Sequence, residues 1–106
     1  MNMPDVSVVI PCHNAEQWIG RAIDGVLAQE GVSVEVLVID DGSTDGSLDV
    51  AKARGDRIRL ETGPNRGACA ARNRGLALAR ARFVMFLDAD DCVEGPFLAS
   101  AVAALR

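Results

Sequence analysis

The sequence predicts an α/β fold: an open, mostly parallel sheet of about four strands with helices on both faces. Two observations carry this. Short β-branched, apolar runs recur along the chain, and each is followed by a segment whose apolar residues repeat at helical spacing. Three of the runs also stop abruptly in proline, aspartate or glycine, at the edge where ligands bind in open α/β sheets.

Val6–Ile10 reads as the first buried strand, stopped by Pro11. Ala15 to Gln29 reads as a helix, with Trp18, Ile19, Ala22, Ile23, Val26 and Leu27 on one stripe. Asn14 is placed to cap it, Gln17 to complete a capping box and Gly31 to stop it. Val34–Ile39 is a second buried strand ending at Asp40-Asp41-Gly42-Ser43-Thr44-Asp45, and a modest helix follows over Gly46–Ala53. Ile58–Leu60 reads as a short strand near an edge. After the loop signal Gly63-Pro64-Asn65, Ala68–Ala81 has good helix propensity despite Gly75. Phe83–Leu87 is the fourth strand, and Pro96–Leu105 a last helix with Phe97, Leu98, Ala101, Val102 and Leu105 on one stripe.

Bulk properties bound the reading. A chain of 106 residues suits one domain, and the 49% hydrophobic fraction speaks against disorder. A net charge of −4 argues against non-specific nucleic-acid binding, although nine of the eleven basic residues fall between Lys52 and Arg82, a stretch read as solvated surface. No apolar run reaches the roughly 18 residues of a membrane span, and the N-terminus lacks a signal-peptide layout, so a cytoplasmic location is expected. Cys12, Cys69 and Cys92 form no Cys-x-x-Cys pair and read as free thiols.

The residues that follow strands one, two and four are the unusual ones. Asp88, Asp90 and Asp91 come directly after an apolar strand, where three carboxylates call for a positive partner. A divalent cation such as Mg²⁺ or Mn²⁺ answers this, with Asp88 and Asp90 turned toward it and Asp91 elsewhere. Asp40 and Asp41 suit either a turn and helix cap or a contact to a nucleobase N–H or a ribose hydroxyl. Pro11 to Glu16 lacks any Gly-rich phosphate cradle, and His13 there is either a solvated loop histidine or a ring that stacks on a base. Arg66, Arg72 and Arg74 can pair with a diphosphate or lie on a helix surface.

Taken together, Val6 to Glu16 (VSVVIPCHNAE), Val38 to Ser47 (VIDDGSTDGS), Asn65-Arg66-Gly67 with Ala71-Arg72-Asn73-Arg74-Gly75, and Phe86 to Asp91 (FLDADD) resemble the family 2 glycosyltransferases, in the family's order and over nearly the whole chain. The resemblance implies the Rossmann-like, donor-binding half of a GT-A fold. Residues 1–106 would form a single domain that binds a nucleoside diphosphate sugar, most commonly a UDP-sugar. It further implies transfer of the sugar, with inversion, to an acceptor hydroxyl.

By the same resemblance, Pro11 and His13 flank the base, His13 standing where the family more often has tyrosine. Glu16 lines that pocket, and Asp41 hydrogen-bonds the base. Asp88 approaches the ribose or sugar, Asp90 holds the metal, and Arg72 contacts phosphate or sugar. The family's general base lies in a later half, beyond Arg106, so no catalytic residue is assigned and the chain is expected to be a truncated catalytic domain. Apolar surface near strand four would then favour self-association, and a lipid-linked acceptor would bring the protein to the inner face of a membrane.

Three rivals share features with this chain. Phosphatases of the haloacid dehalogenase type use an Asp-x-Asp with Mg²⁺, but after their first strand and with threonine or valine where Cys92 stands. Receiver-type signalling domains place their acid pair after strand one and need a late lysine, whereas Lys52 is the one lysine here. A catalytically silent nucleotide-binding remnant is the third.

Overall fold

The computed structural model describes residues 3–106. The elements run β1 (Val6–Cys12), α1 (Ile19–Leu27), β2 (Val34–Asp41), α2 (Ser47–Lys52), β3 (Arg59–Gly63), α3 (Ala68–Leu78), β4 (Phe83–Phe86) and α4 (Phe97–Leu105). All four strands are parallel, in the spatial order β3-β2-β1-β4. Successive connections lead outward to β3, and the chain then returns to the other side of β1. The order therefore reverses between β1 and β4, the switch point at which such sheets open a crevice.

Alternation of side chains along the strands divides the core into two layers. Val8, Ile10 and Cys12 of β1, with Val36 and Val38 of β2, pack in one cluster with Ile19 and Ile23 of α1, Ala51 of α2, and Leu98 and Val102 of α4. Val9, Leu37 and Ile39 face the opposite way and meet Ala71 of α3. Helices thus cover both faces, as the periodicities predict. Burying Ile19 or Ile23 contributes about 1.5–3 kcal/mol each, more than the ~1 kcal/mol of a typical side-chain cap. Accordingly α1 is held by its buried face and has no side-chain cap.

Several local expectations are corrected. β1 continues through Pro11 to Cys12, pairing Pro11 with Ile39. The Val9 carbonyl accepts from the Leu87 amide, so Pro11, two residues on, directs its N–H-less nitrogen to the same side, past the last paired residue of β4. No ladder bond is lost there. α1 begins at Ile19 rather than Ala15, because Asn14 adopts φ 48° and its Oδ1 accepts the Thr44 and Asp45 amides instead of capping the helix. Trp18 lies off the buried stripe and is 46% exposed. In α4 only Leu98 and Val102 of the predicted stripe are buried, while Phe97 and Leu105 are exposed.

The end of α3 shows tertiary contacts overriding propensity. The helix stops at Leu78 rather than Ala81, and the next amides are taken by buried side chains: Arg80 donates to Glu35 Oε1 at 3.0 Å and Ala81 to Ser7 Oγ at 3.0 Å. Glu35 also accepts from the Ser7 hydroxyl at 2.8 Å and from Arg59 at 3.0 Å. Burial alone would raise this carboxyl, but the Arg80 amide, the Ser7 hydroxyl and Arg59 outweigh it and hold it below its ordinary value. Glu35 therefore pins three strands and α3 together at the end of the sheet away from the crevice.

Candidate functional site

The crevice at the carboxyl end of β1 is walled by the loops after β1, β2 and β4 and by the first turns of α3. It consists of two adjoining cavities of about 240 Å³ each that share Pro11, His13 and Ala68. Together they fall in the size range of small-molecule sites. A further hollow of about 400 Å³ opens on the β3 side of Asp41, sharing Asp41 and Ala71 with the first cavity and lined also by Asp40, Thr62, Arg66 and Arg74. None of the Asp-x-Asp residues lines it.

The first cavity is bounded by Pro11, His13, Asp41, Asn65, Gly67 and Ala71. The His13 ring is oriented by the end of β2 and by the loop after β3. Its Nδ1 lies 2.8 Å from the Asp41 carbonyl oxygen, which can only accept, so the proton is assigned to Nδ1. Nε2 is then left to accept from Asn65 Nδ2, at 3.3 Å. Asp41 is buried, and its carboxylate accepts the backbone amides of Arg66 at 2.7 Å and Gly67 at 3.0 Å. One lone pair on each oxygen stays available. Asp40, on the opposite face of β2, accepts from the Thr62 hydroxyl at 2.9 Å, while its Oδ1 is buried with no partner among the described residues.

Gly42 lets these loops meet. At φ +66° it sits where a Cβ would lie 2.6 Å from the Asn65 backbone nitrogen, a conformation and a space that only glycine accommodates. The loop after β2 therefore presses directly on the segment that carries Asn65.

The second cavity holds the predicted metal residues. Asp88 and Asp90 line it with Ala89, Asn14, Trp18 and Arg72. One carboxylate oxygen from each of Asp88, Asp90 and Asp91 lies within 4.8 Å of the others, and all three residues are exposed. Asp91 is thus gathered with the pair rather than turned away, because the chain after β4 curls into a turn in which the Asp91 amide donates to the Asp88 carbonyl at 2.9 Å. In water each such repulsion costs only about 1 kcal/mol, so the cluster persists on its own. An all-oxygen, multiply anionic donor set of this kind fits a hard divalent cation.

Of the three arginines singled out in the sequence, the fold separates one. Arg74 pairs with Glu61 at 2.9 Å, and Arg66 faces the other hollow. Arg72 lines the crevice and makes no salt bridge among the described residues. Pro11, His13, Asp41, Arg72, Asp88 and Asp90 are therefore brought to one crevice. Glu16 is not: its carboxylate accepts the Gly46 amide at 3.0 Å and it lines neither cavity. Asn65 and Trp18 line the crevice without having been singled out for it. The loop signal around Asn65 was visible in the sequence, whereas Trp18 reads there as core.

All three cysteines are free, and burial pushes the Cys12 thiol up, with nearby Asp40 adding to the effect, which leaves it a poor nucleophile. Among the described residues no helix is long and apolar enough to cross a membrane.

Comparison with known proteins agrees with this fold. The family described as Glycosyl transferase family 2 matches residues 7–106. The succinoglycan biosynthesis protein ExoO of Rhizobium meliloti is 46% identical over 93 residues, covering 86% of this chain and 27% of that protein. Chondroitin synthase of Pasteurella multocida is 36% identical over 95 residues, covering 87% of this chain and 10% of the synthase. Among solved structures, S. aureus TarS superposes with a TM-score of 0.85 at 30% identity, over 92% of this chain and 31% of that one. A complex of TarS with UDP-GlcNAc gives 0.80. The mannosyltransferase PcManGT of Pyrobaculum calidifontis, in complex with GDP-Man and Mn²⁺, gives 0.84 at 28% identity, over all of this chain and 33% of that one. The chain thus spans a third or less of these proteins. With the Asp-x-Asp after β4 rather than β1, the phosphatase reading is not favoured.

Proposed function

Because the chain belongs to glycosyl transferase family 2, we propose that it supplies the donor-binding part of an inverting glycosyltransferase, which moves a sugar from a nucleoside diphosphate sugar to an acceptor hydroxyl. The observation that carries this is the single crevice in which a base-sized, hydrogen-bonding end at His13 and Asp41 adjoins an anionic cluster at Asp88 and Asp90, with Arg72 uncommitted beside it. Pro11 and the oriented His13 ring wall the base, and the free lone pairs of Asp41 accept from a nucleobase N–H. The Arg72 guanidinium takes phosphate oxygens.

A divalent cation, Mg²⁺ or Mn²⁺, held by Asp88 and Asp90 would supply Lewis-acid stabilisation of the departing nucleoside diphosphate. UDP is the proposed nucleotide, in line with the TarS complexes with UDP and UDP-GlcNAc. Glu16 is left out of the donor site on this reading. Three free thiols suit a reducing, cytoplasmic compartment, at the inner face of a membrane where the acceptor is lipid-linked. Exposed Phe86 on the outer strand β4 and Leu76 on α3 are apolar surface that self-association would cover.

Calorimetric titration with UDP and GDP, with and without Mn²⁺, tests the reading. Binding should require the metal and should weaken at least tenfold in Asp90→Ala. Metal-independent binding, or no binding of any nucleoside diphosphate, would refute it.

A further inference from the structure

Every strongly apolar position at the start of α1 is buried except one. Ile19, Ala22, Ile23 and Val26 pack in the core, yet the residue immediately before them, Trp18, is 46% exposed. An indole carries a large apolar area and is not left in water without consequence. Its Nε1–H donates to no protein group among the described residues, and about half of the residue stays open to solvent. Trp18 also lines the same cavity as Asp88, Asp90 and Arg72.

Resting on the donor-site reading above, we infer that Trp18 is the platform for the sugar of the nucleotide sugar, its indole face against the C–H face of the pyranose and its N–H toward a ring hydroxyl. The assignment follows from what the crevice already provides. The base end has a flat ring at His13 and hydrogen-bonding partners at Asp41 and Asn65. The diphosphate would be served by Arg72 and by a cation held at Asp88 and Asp90, and an anion gains nothing from the electron-rich face of an indole. The remaining part of such a ligand is the sugar, whose polarised C–H groups suit that face and whose hydroxyls suit the indole N–H. Trp18 is a binding and positioning residue on this account, since no proton or bond is assigned to it.

Trp18 is the single tryptophan of the chain, so its own emission reports the contact. The protein is titrated with UDP and with UDP-GlcNAc, UDP-glucose and GDP-mannose in the presence of Mg²⁺, which does not quench, with excitation at the red edge of the indole band. Emission should change with at least one sugar nucleotide and change little with the matching bare diphosphate. In parallel calorimetry, Trp18→Ala should lower affinity for that sugar nucleotide roughly three- to tenfold and leave affinity for the diphosphate unchanged. Trp18→Phe should recover most of the loss.

Equal effects on sugar nucleotide and bare diphosphate, or no effect on either while both still bind, would overturn the assignment of Trp18 but leave the donor site standing. Emission that follows protein concentration and ignores ligand would overturn it in favour of a contact between copies. Absence of all nucleotide binding removes the donor site and this inference together.

Discussion

Gly75→Ala sets two effects of opposite sign against each other. Gly75 lies inside α3, where replacing glycine by alanine ordinarily stabilises a helix by about 1 kcal/mol. Here, however, a Cβ at position 75 would stand 2.2 Å from Val9 Cγ1, 3.1 Å from Cγ2 and 3.2 Å from Cβ. Ordinary carbon contacts are about 3.5–4.0 Å, so relief of more than about 1 Å is needed. Rotating Val9 does not provide it, because all three atoms crowd the site, and Val9 is fully buried on the central strand β1. Overpacking of this kind costs roughly 1–3 kcal/mol or more. The extreme approach puts this case at the upper end, so the net is a destabilisation of about 1–2 kcal/mol after the propensity gain.

Thermal unfolding should then fall by roughly 5–15 °C, and urea unfolding should show a lower midpoint at unchanged slope. Since α3 also presents Ala68, Ala71 and Arg72 to the crevice, the helix shift should weaken nucleotide binding too. Val9→Ala should relieve the clash, so that the double variant is less destabilised than the two single changes added together. A Gly75→Ala protein as stable as its parent, or strict additivity in the double variant, would show that α3 does not press on β1 as described.

Three further outcomes follow from buried polar groups. Glu35 has its folded value held below the ordinary carboxyl value, so its stabilising effect is fully present above that ordinary value and is lost as pH falls through the folded one. Glu35→Gln should cost about 1–3 kcal/mol near neutrality, and the gap to wild type in urea midpoints should close in acid; a gap independent of pH would rule out the ionised network. Asp41→Asn keeps one acceptor for the Arg66 and Gly67 amides but sets an NH₂ against the other, which should cost about 1.5–3 kcal/mol and raise amide hydrogen exchange at residues 66 and 67. Unchanged exchange there would count against Asp41 as the clamp of that loop. Thr62→Val removes the one partner of the Asp40 carboxylate among the described residues and should lower stability by about 1–3 kcal/mol, with a neutral result by calorimetric melting arguing that water already serves that oxygen.

The sequence by itself determined the class of fold, the number and type of the main elements, and the edge at which chemistry would gather. These depend on local periodicity and on punctuation by Pro11, Gly42 and Asp88, which a linear chain displays directly. Through the family resemblance it also grouped Pro11, His13, Glu16, Asp41, Arg72, Asp88 and Asp90, of which all but Glu16 line the crevice.

The tertiary structure alone decided how far each element runs and which polar groups are already spent. Asn14 looks like a helix cap in the sequence, and the family resemblance puts Glu16 in the base pocket, but their side-chain oxygens hold the loop after β2. α3 ends where Glu35 and Ser7, far away in the chain, capture its next amides. Trp18 fits a helical stripe by spacing, yet α1 begins only after it and the residue lines the crevice. For Asn14 and for the end of α3, a contact between residues some thirty or more positions apart outweighs a local preference worth about 1 kcal/mol or less, and no local pattern in the sequence records such a contact.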